Sequence, residues 1–169
     1  MLKTDDTMWC LGFGGDLRGL GGGQLGLSNI QYVSTPTQIG SLNTWKLISA
    51  GSYLSYAIKN DGSLWSWGRN SYGQLGLNTI TPKSSPTQVG SLTNWKLVSA
   101  GSYSAYYITD SGNLLTCGNN NYGQLGLGNT THRSSPVQIS SMNNWFSVSS
   151  SDGYHGLAHI GNILALKLI

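Results

Sequence analysis

The sequence predicts an all-β fold of propeller-type blades, each of four short antiparallel strands, in an incomplete ring. Three observations predict it. Gly-Gln-Leu-Gly-Leu occurs three times at a constant spacing, as Gly23–Leu27, Gly73–Leu77 and Gly123–Leu127. A Pro-x-Gln-aliphatic element follows each copy at Pro36, Pro86 and Pro136, and a lone Trp follows that at Trp45, Trp95 and Trp145. A period near 50 residues marks repeated supersecondary units. Helix formers are scarce, and the 24 glycines are spread throughout, which disfavours long helices. On this period, repeat 1 spans about 8–58, repeat 2 about 59–108 and repeat 3 about 109–160, with an extra strand over about 161–169, all in one domain of 169 residues.

The middle copy shows each element in order. Leu64-Trp65-Ser66-Trp67-Gly68 alternates large and small residues as a short strand does. Arg69–Gly73 is a polar turn, with glycine supplying unusual backbone angles. Gln74–Leu77 leads into a long polar loop, where Ser85-Pro86 imposes extended or turn geometry before a brief strand at Gln88-Val89. Trp95–Ser99 alternates again, which would place Trp95, Leu97 and Ser99 on one face and Lys96 and Val98 on the other. Ala100-Gly101 breaks it, and Ser104–Ile108 is the next strand. Asp110-Ser111-Gly112, like Asn60-Asp61-Gly62 before it, is a hairpin turn, and Leu114–Gly118 restarts the cycle. Four-stranded units that repeat radially are propeller blades; a solenoid is the alternative, though its units are usually shorter, roughly 20–45 residues.

The stretch Leu64–Leu77, with Ser85-Pro86-Thr87-Gln88-Val89 and Val98-Ser99-Ala100-Gly101, resembles the signature of the RCC1 repeat family. The resemblance runs from about Met8 to the C-terminus. It implies a β-propeller of four-stranded blades. The founding member is a seven-bladed exchange factor for the small GTPase Ran that docks on chromatin, and the repeat also occurs in bacterial surface proteins and phage structural proteins. Fold alone therefore does not set function. Family repeats often carry a His after Ala-Gly. Leu54 and Ser104 stand there, and only His155 fits. The first repeat also carries a Gly-rich insertion, Phe13 to Gly22, that holds Asp16 and Arg18.

A closed ring needs roughly four to eight blades. Three blades and a strand leave unpaired edges, which are hazards unless covered. The expectation is completion by a second copy, giving about six blades, or by other structural proteins, against an open three-blade wedge.

Charged residues make up 9% of the chain, and all six acids are Asp. The net charge of +3 is thinly spread, and a nucleic-acid groove needs a concentrated basic stripe. No stretch approaches a membrane span, and no secretory leader is visible in the opening residues. Gly21–Gly26 formally matches G-x-G-x-x-G but lacks the following amphipathic helix of a dinucleotide site; the repeat explains those glycines. His155 and His159 have no third metal ligand nearby in sequence. Cys10 and Cys117 fall at non-equivalent repeat positions and read as idle thiols. No acid–base constellation stands out, so an enzyme, a cofactor and a metal are not expected.

The candidate contact residues are Phe13, Asp16 and Arg18 of the insertion, and Tyr72 and Tyr122 beside the Gly-Gln-Leu-Gly motif. Tyr53 and Tyr103, just after Ala-Gly, join them as an aromatic surface that could take protein or glycan, or as packing between blades. The expectation is a non-enzymatic interaction protein, most simply a virus or phage particle component made in the cytoplasm. The alternatives are a glycan-reading adhesin, or a regulator that binds a small GTPase or chromatin.

Overall fold

The computed structural model describes residues 1–15, 22–150 and 155–161. These form twelve strands: β1 (Trp9–Phe13), β2 (Tyr32–Gln38), β3 (Trp45–Ala50), β4 (Leu54–Lys59), β5 (Leu64–Gly68), β6 (Lys83–Gln88), β7 (Trp95–Ala100), β8 (Ser104–Thr109), β9 (Leu114–Gly118), β10 (Arg133–Gln138), β11 (Trp145–Ser150) and β12 (Gly156–Ile160). Two antiparallel four-stranded sheets, β3-β4-β5-β6 and β7-β8-β9-β10, are complete blades. Two-stranded sheets flank them, β1-β2 before and β11-β12 after. By repeat position, β1-β2 is the outer half of a blade and β11-β12 the inner half. Among the described residues the ring is open.

The sheets are out of phase with the sequence repeats. The pattern restarts at Leu64 and Leu114, whereas each sheet starts at its Trp, Trp45 or Trp95. The reason is chain direction: β3, β7 and β11 lie against one another along the inner side of successive sheets, so a sheet is entered from its inner strand. The extra strand expected over 161–169 lies outside the described residues apart from Gly161.

Two local expectations are corrected. The simple alternation over Trp95–Ser99 fails because a bulge falls between Trp95, opposite Thr109, and Leu97, opposite Ile108. The extra residue turns Trp95 to the face of Val98. Both pack into the core against the preceding blade, while Leu97 packs towards the following one. The same irregularity recurs between Trp45 and Leu47 and between Trp145 and Ser147. The fourth strand is also longer than the expected Gln88-Val89 pair: β6 begins at Lys83 and runs through Pro86. Proline is tolerated because β6 is an edge strand.

The cores lie between blades. Leu54, Tyr56 and Ile58 of β4 meet Trp95, Val98 and Tyr107 of the next blade. Met8, Cys10 and Leu25 meet Trp45, Ala57 and Trp67. Tyr106, Ile108 and Leu114 meet Val148. Polar braces repeat as well. Buried Asn70 donates from Nδ2 to the carbonyls of Thr79 (2.8 Å) and Thr81 (3.0 Å) and accepts from Leu75 N–H (2.9 Å). Asn120 does the same with Asn129, Thr131 and Leu125. This brace closes the long polar loop and pairs the buried Asn70 amide fully, as buried polar groups require.

A candidate interaction face

In an antiparallel meander, the connections from first to second strand and from third to fourth strand leave the same end of the sheet. Here that end carries Gly51–Tyr53 and Gly101–Tyr103 from the short connections, and Arg69–Pro82 and Asn119–His132 from the long ones. Of the sequence candidates, Tyr72 and Tyr122 belong to the long connections, Tyr53 and Tyr103 to the short ones, and Phe13 ends β1.

The structure assembles a cluster there across the boundary of the two complete blades. Tyr72 makes edge-on contacts with Tyr103 (ring centroids 5.9 Å apart) and with His132 (5.1 Å). The Arg69 guanidinium sits over Tyr103 at 5.2 Å and Tyr53 at 5.7 Å, and its Nε donates to Ser71 Oγ at 3.2 Å. Arg69 is only 4% exposed. The two tyrosine faces supply the electrostatic partner a buried guanidinium needs. His132 Nδ1 accepts from Asn120 N–H at 3.0 Å. Tyr72 thus serves as packing between blades, with its edge at the surface.

Tyr122 is equivalent to Tyr72 but 74% exposed. Phe13 is half-buried and stacks on Tyr32 at 4.9 Å; Tyr32 is itself 76% exposed. Asp16 and Arg18 lie outside the described residues. Sequence reasoning missed Arg69, His132 and Tyr32. The signal for Arg69 was its place directly after Trp67-Gly68; His132 and Tyr32 carry no repeated signal, because their equivalent in the middle repeat is Pro82.

At the opposite end of the blades, two equivalent apolar crevices of about 470 and 260 Å³ repeat with the unit. Trp45, Leu42 and Pro86 line one, and Trp95, Leu92 and Pro136 the other. The indole N–H groups of Trp45, Trp95 and Trp145 are all buried without a hydrogen-bond partner.

The titratable groups inside are held neutral. Burial pushes the Cys117 thiol up to about 12. Burial also raises the Tyr56 and Tyr107 phenols well above their ordinary value. Tyr107 OH lies 2.7 Å from Tyr56 OH and 2.9 Å from Cys117 Sγ, and Tyr56 OH donates to the Gln74 carbonyl. Cys10 and Cys117 are buried free thiols. Among the described residues no three His, Cys, Asp or Glu side chains gather as a metal site, and no helix is long and apolar enough to cross a membrane.

The profile of the Regulator of chromosome condensation (RCC1) repeat matches residues 61–108 and 111–157, and a second RCC1 repeat profile matches 45–74 and 95–124. The chain belongs to the RCC1 repeat family. Its blades superpose on solved RCC1-type propellers. Yeast RCC1 (Prp20) bound to Kap60 matches with a TM-score of 0.78 at 20% identity, covering 93% of this chain and 38% of that one. Prp20p from Saccharomyces cerevisiae, described with its binding properties to Gsp1p and histones, matches with a TM-score of 0.78 at 21% identity, covering 93% and 40%. Human WBSCR16 matches with a TM-score of 0.73 at 21% identity, covering 89% and 40%. The chain thus spans about two fifths of the length of these solved chains. A search of curated proteins by sequence finds no match. The RCC1 repeat profile straddles two sheets, ending in the second strand of the next blade (61–108 against β3–β6 and β7–β10).

Proposed function

We propose that this RCC1-repeat chain is a non-enzymatic structural and interaction protein, most specifically a component of a virus or phage particle. The observation that carries the interaction reading is the loop end of the blades. It presents Tyr32 and Tyr122, more than 70% exposed, and the Tyr53–Arg69–Tyr103–Tyr72 cluster. Rigid aromatic side chains give large contact area at small entropic cost. The particle reading takes its support from the low charge of the chain, 9% of residues. Mass spectrometry of purified particles tests it: enrichment of the chain in particles is expected, and a solely free species in the producing cells would overturn it.

A second reading, a regulator that binds a small GTPase or histones, draws on the fold shared with Prp20p. Histones are basic and call for an acidic partner, whereas this chain carries a net charge of +3. Binding to a small GTPase, measured by interferometry with Arg69→Ala and Tyr72→Ala as controls, would favour this reading. A glycan array with Tyr122→Ala discriminates the adhesin reading, since base-free aromatic stacking on sugar needs the exposed ring.

A further inference from the structure

The two apolar crevices at the far end of the blades occupy equivalent places in successive repeats, yet their chemistry differs. The larger, of about 470 Å³, lies between β1-β2 and the first complete blade, and every residue that lines it falls within 26–86. Leu27, Ile39, Leu42 and Pro86 give it aliphatic walls, and Trp45 and Trp65 an aromatic one. Lys59, half-buried at the end of β4, lines it as well. The smaller, of about 260 Å³, has Leu77, Val89, Leu92, Pro136 and Trp95 at the matching places, but Leu115 where the first has Trp65. One repeat on from Lys59 stands Thr109, which is buried and turned to its own hairpin: its Oγ1 accepts from Asn113 N–H at 3.1 Å and lies 2.9 Å from Ser111 Oγ. No charged side chain lines the second crevice.

The Lys59 ammonium is held in place. It sits 3.8 Å from the centroid of the Trp65 ring and 5.1 Å from that of Trp45. The two indoles meet edge to face, 6.0 Å apart. Trp65 is fixed in turn, since its Nε1 donates to Ser63 Oγ at 2.9 Å and Ser63 Oγ donates to Asp61 Oδ1 at 2.6 Å. The hairpin sets this seat. The same contacts run through Asp5, Thr7 and Trp9, with Lys3 over Trp9 at 3.6 Å. The Lys59 pair differs in facing a crevice. Asp61 is committed to Ser63, whose hydrogen bonds are the main cause of its lowered pKa, with the Lys59 charge adding to them. Among the described residues Lys59 makes no ion pair. Aromatic faces attract an ammonium but offer it no lone pair, so its three N–H donors remain available to an anion.

We propose that the larger crevice is a binding site for a small apolar carboxylic acid, whose body lies among Leu42, Trp65 and Pro86 and whose carboxylate meets the Lys59 ammonium. Sites for small molecules are clefts of about 300–1,000 Å³, mostly apolar, with a few polar groups that fix orientation. The first crevice falls inside that range and the second below it. Charge decides the class of ligand. A neutral apolar ligand would strip water from the ammonium and return no hydrogen bond, which costs free energy. A cation would be repelled. A carboxylate replaces the lost water with charge-assisted hydrogen bonds. A second carboxylate on the same ligand would have no partner among the apolar walls. The crevice lies at the opposite end of the blades from the Arg69–Tyr72 cluster, and its assignment does not rest on the reading of that face.

Titration of the full chain with phenylbutyrate, followed through the tryptophan indole N–H signals in proton–nitrogen correlation spectra, tests the assignment. The Trp45 and Trp65 signals are expected to shift with a Kd of about 0.1–1 mM, while that of Trp95 stays in place. Phenylbutyramide, of the same shape without the charge, should bind about tenfold more weakly. Lys59→Met keeps an unbranched apolar stem on the indoles and should bring the acid down to the affinity of the amide. Leu92→Ala, in the second crevice, should change neither. The comparison of acid with amide on the wild-type chain stands whether or not a variant folds. Equal affinity for acid and amide, shifts centred on Trp95, or no shift at about 10 mM acid would overturn the proposal. So would tighter binding of a peptide that ends in phenylalanine with a free carboxylate, which would assign the crevice to the end of a partner chain.

Discussion

Raising the pH should destabilise this protein through Cys117. Its thiol is pushed up to about 12 by burial, from an ordinary 9.0. Above pH 9 the unfolded chain releases this proton and the folded chain keeps it. The folded state then binds more protons, so stability falls as pH rises, with the loss spread between 9 and 12. Integrated from pH 8.5 to 10, one such group costs about 1.2 kcal/mol. Tyr56 and Tyr107 are also raised, but their unfolded forms titrate at higher pH, near 10, and add mainly beyond this window. Cys10 is raised in the same direction and adds to the wild-type slope. Urea unfolding at steps across pH 8.5–10 measures the slope in the wild type and in Cys117→Ala. The variant starts less stable, because a buried side chain is lost, yet its slope should be shallower by about 1.2 kcal/mol over the window. Equal slopes in the two proteins would refute the reasoning that burial holds this thiol neutral.

Other consequences follow from single contacts. Gly73→Ala should cost about 2–5 kcal/mol in chemical unfolding, since a Cβ there meets the backbone of Ser134 in addition to the positive-φ penalty. Gly123→Ala, where no such contact is made, should cost only the backbone part, about 1–2 kcal/mol. Asn70→Ala removes three hydrogen bonds from a buried brace; a loss of about 2–4 kcal/mol is expected, with faster proteolysis of the loop over 76–82. Tyr56→Phe strips one of two donors from the Gln74 carbonyl, leaving the Cys117 thiol, and a partner from Tyr107, and should lower stability by about 1–3 kcal/mol by the same unfolding assay.

Much of the fold was legible because its signals are local. The hairpin turn at Asp61 declares itself through a short side chain that caps its own backbone: Asp61 Oδ1 accepts from Ser63 N–H at 2.9 Å and Ser63 Oγ at 2.6 Å, which lowers its pKa. The Gly-Gln-Leu-Gly spacing gave the repeat because glycine is needed wherever a loop approaches the next blade. The bulge at Trp95–Leu97 was not legible, since it depends on the strand opposite. Nor was the cluster of Arg69, Tyr103 and His132, whose members come from two blades and meet only when sheets stack.

The sequence by itself determined that this chain repeats, that its units are four short strands, and that it belongs with RCC1-type propellers. Those facts follow from turn chemistry and side-chain period, which act over a few residues. Tertiary structure decided where one blade ends and the next begins, and hence that the two terminal sheets are unlike halves. That choice depends on which strands share hydrogen bonds and which faces bury each other.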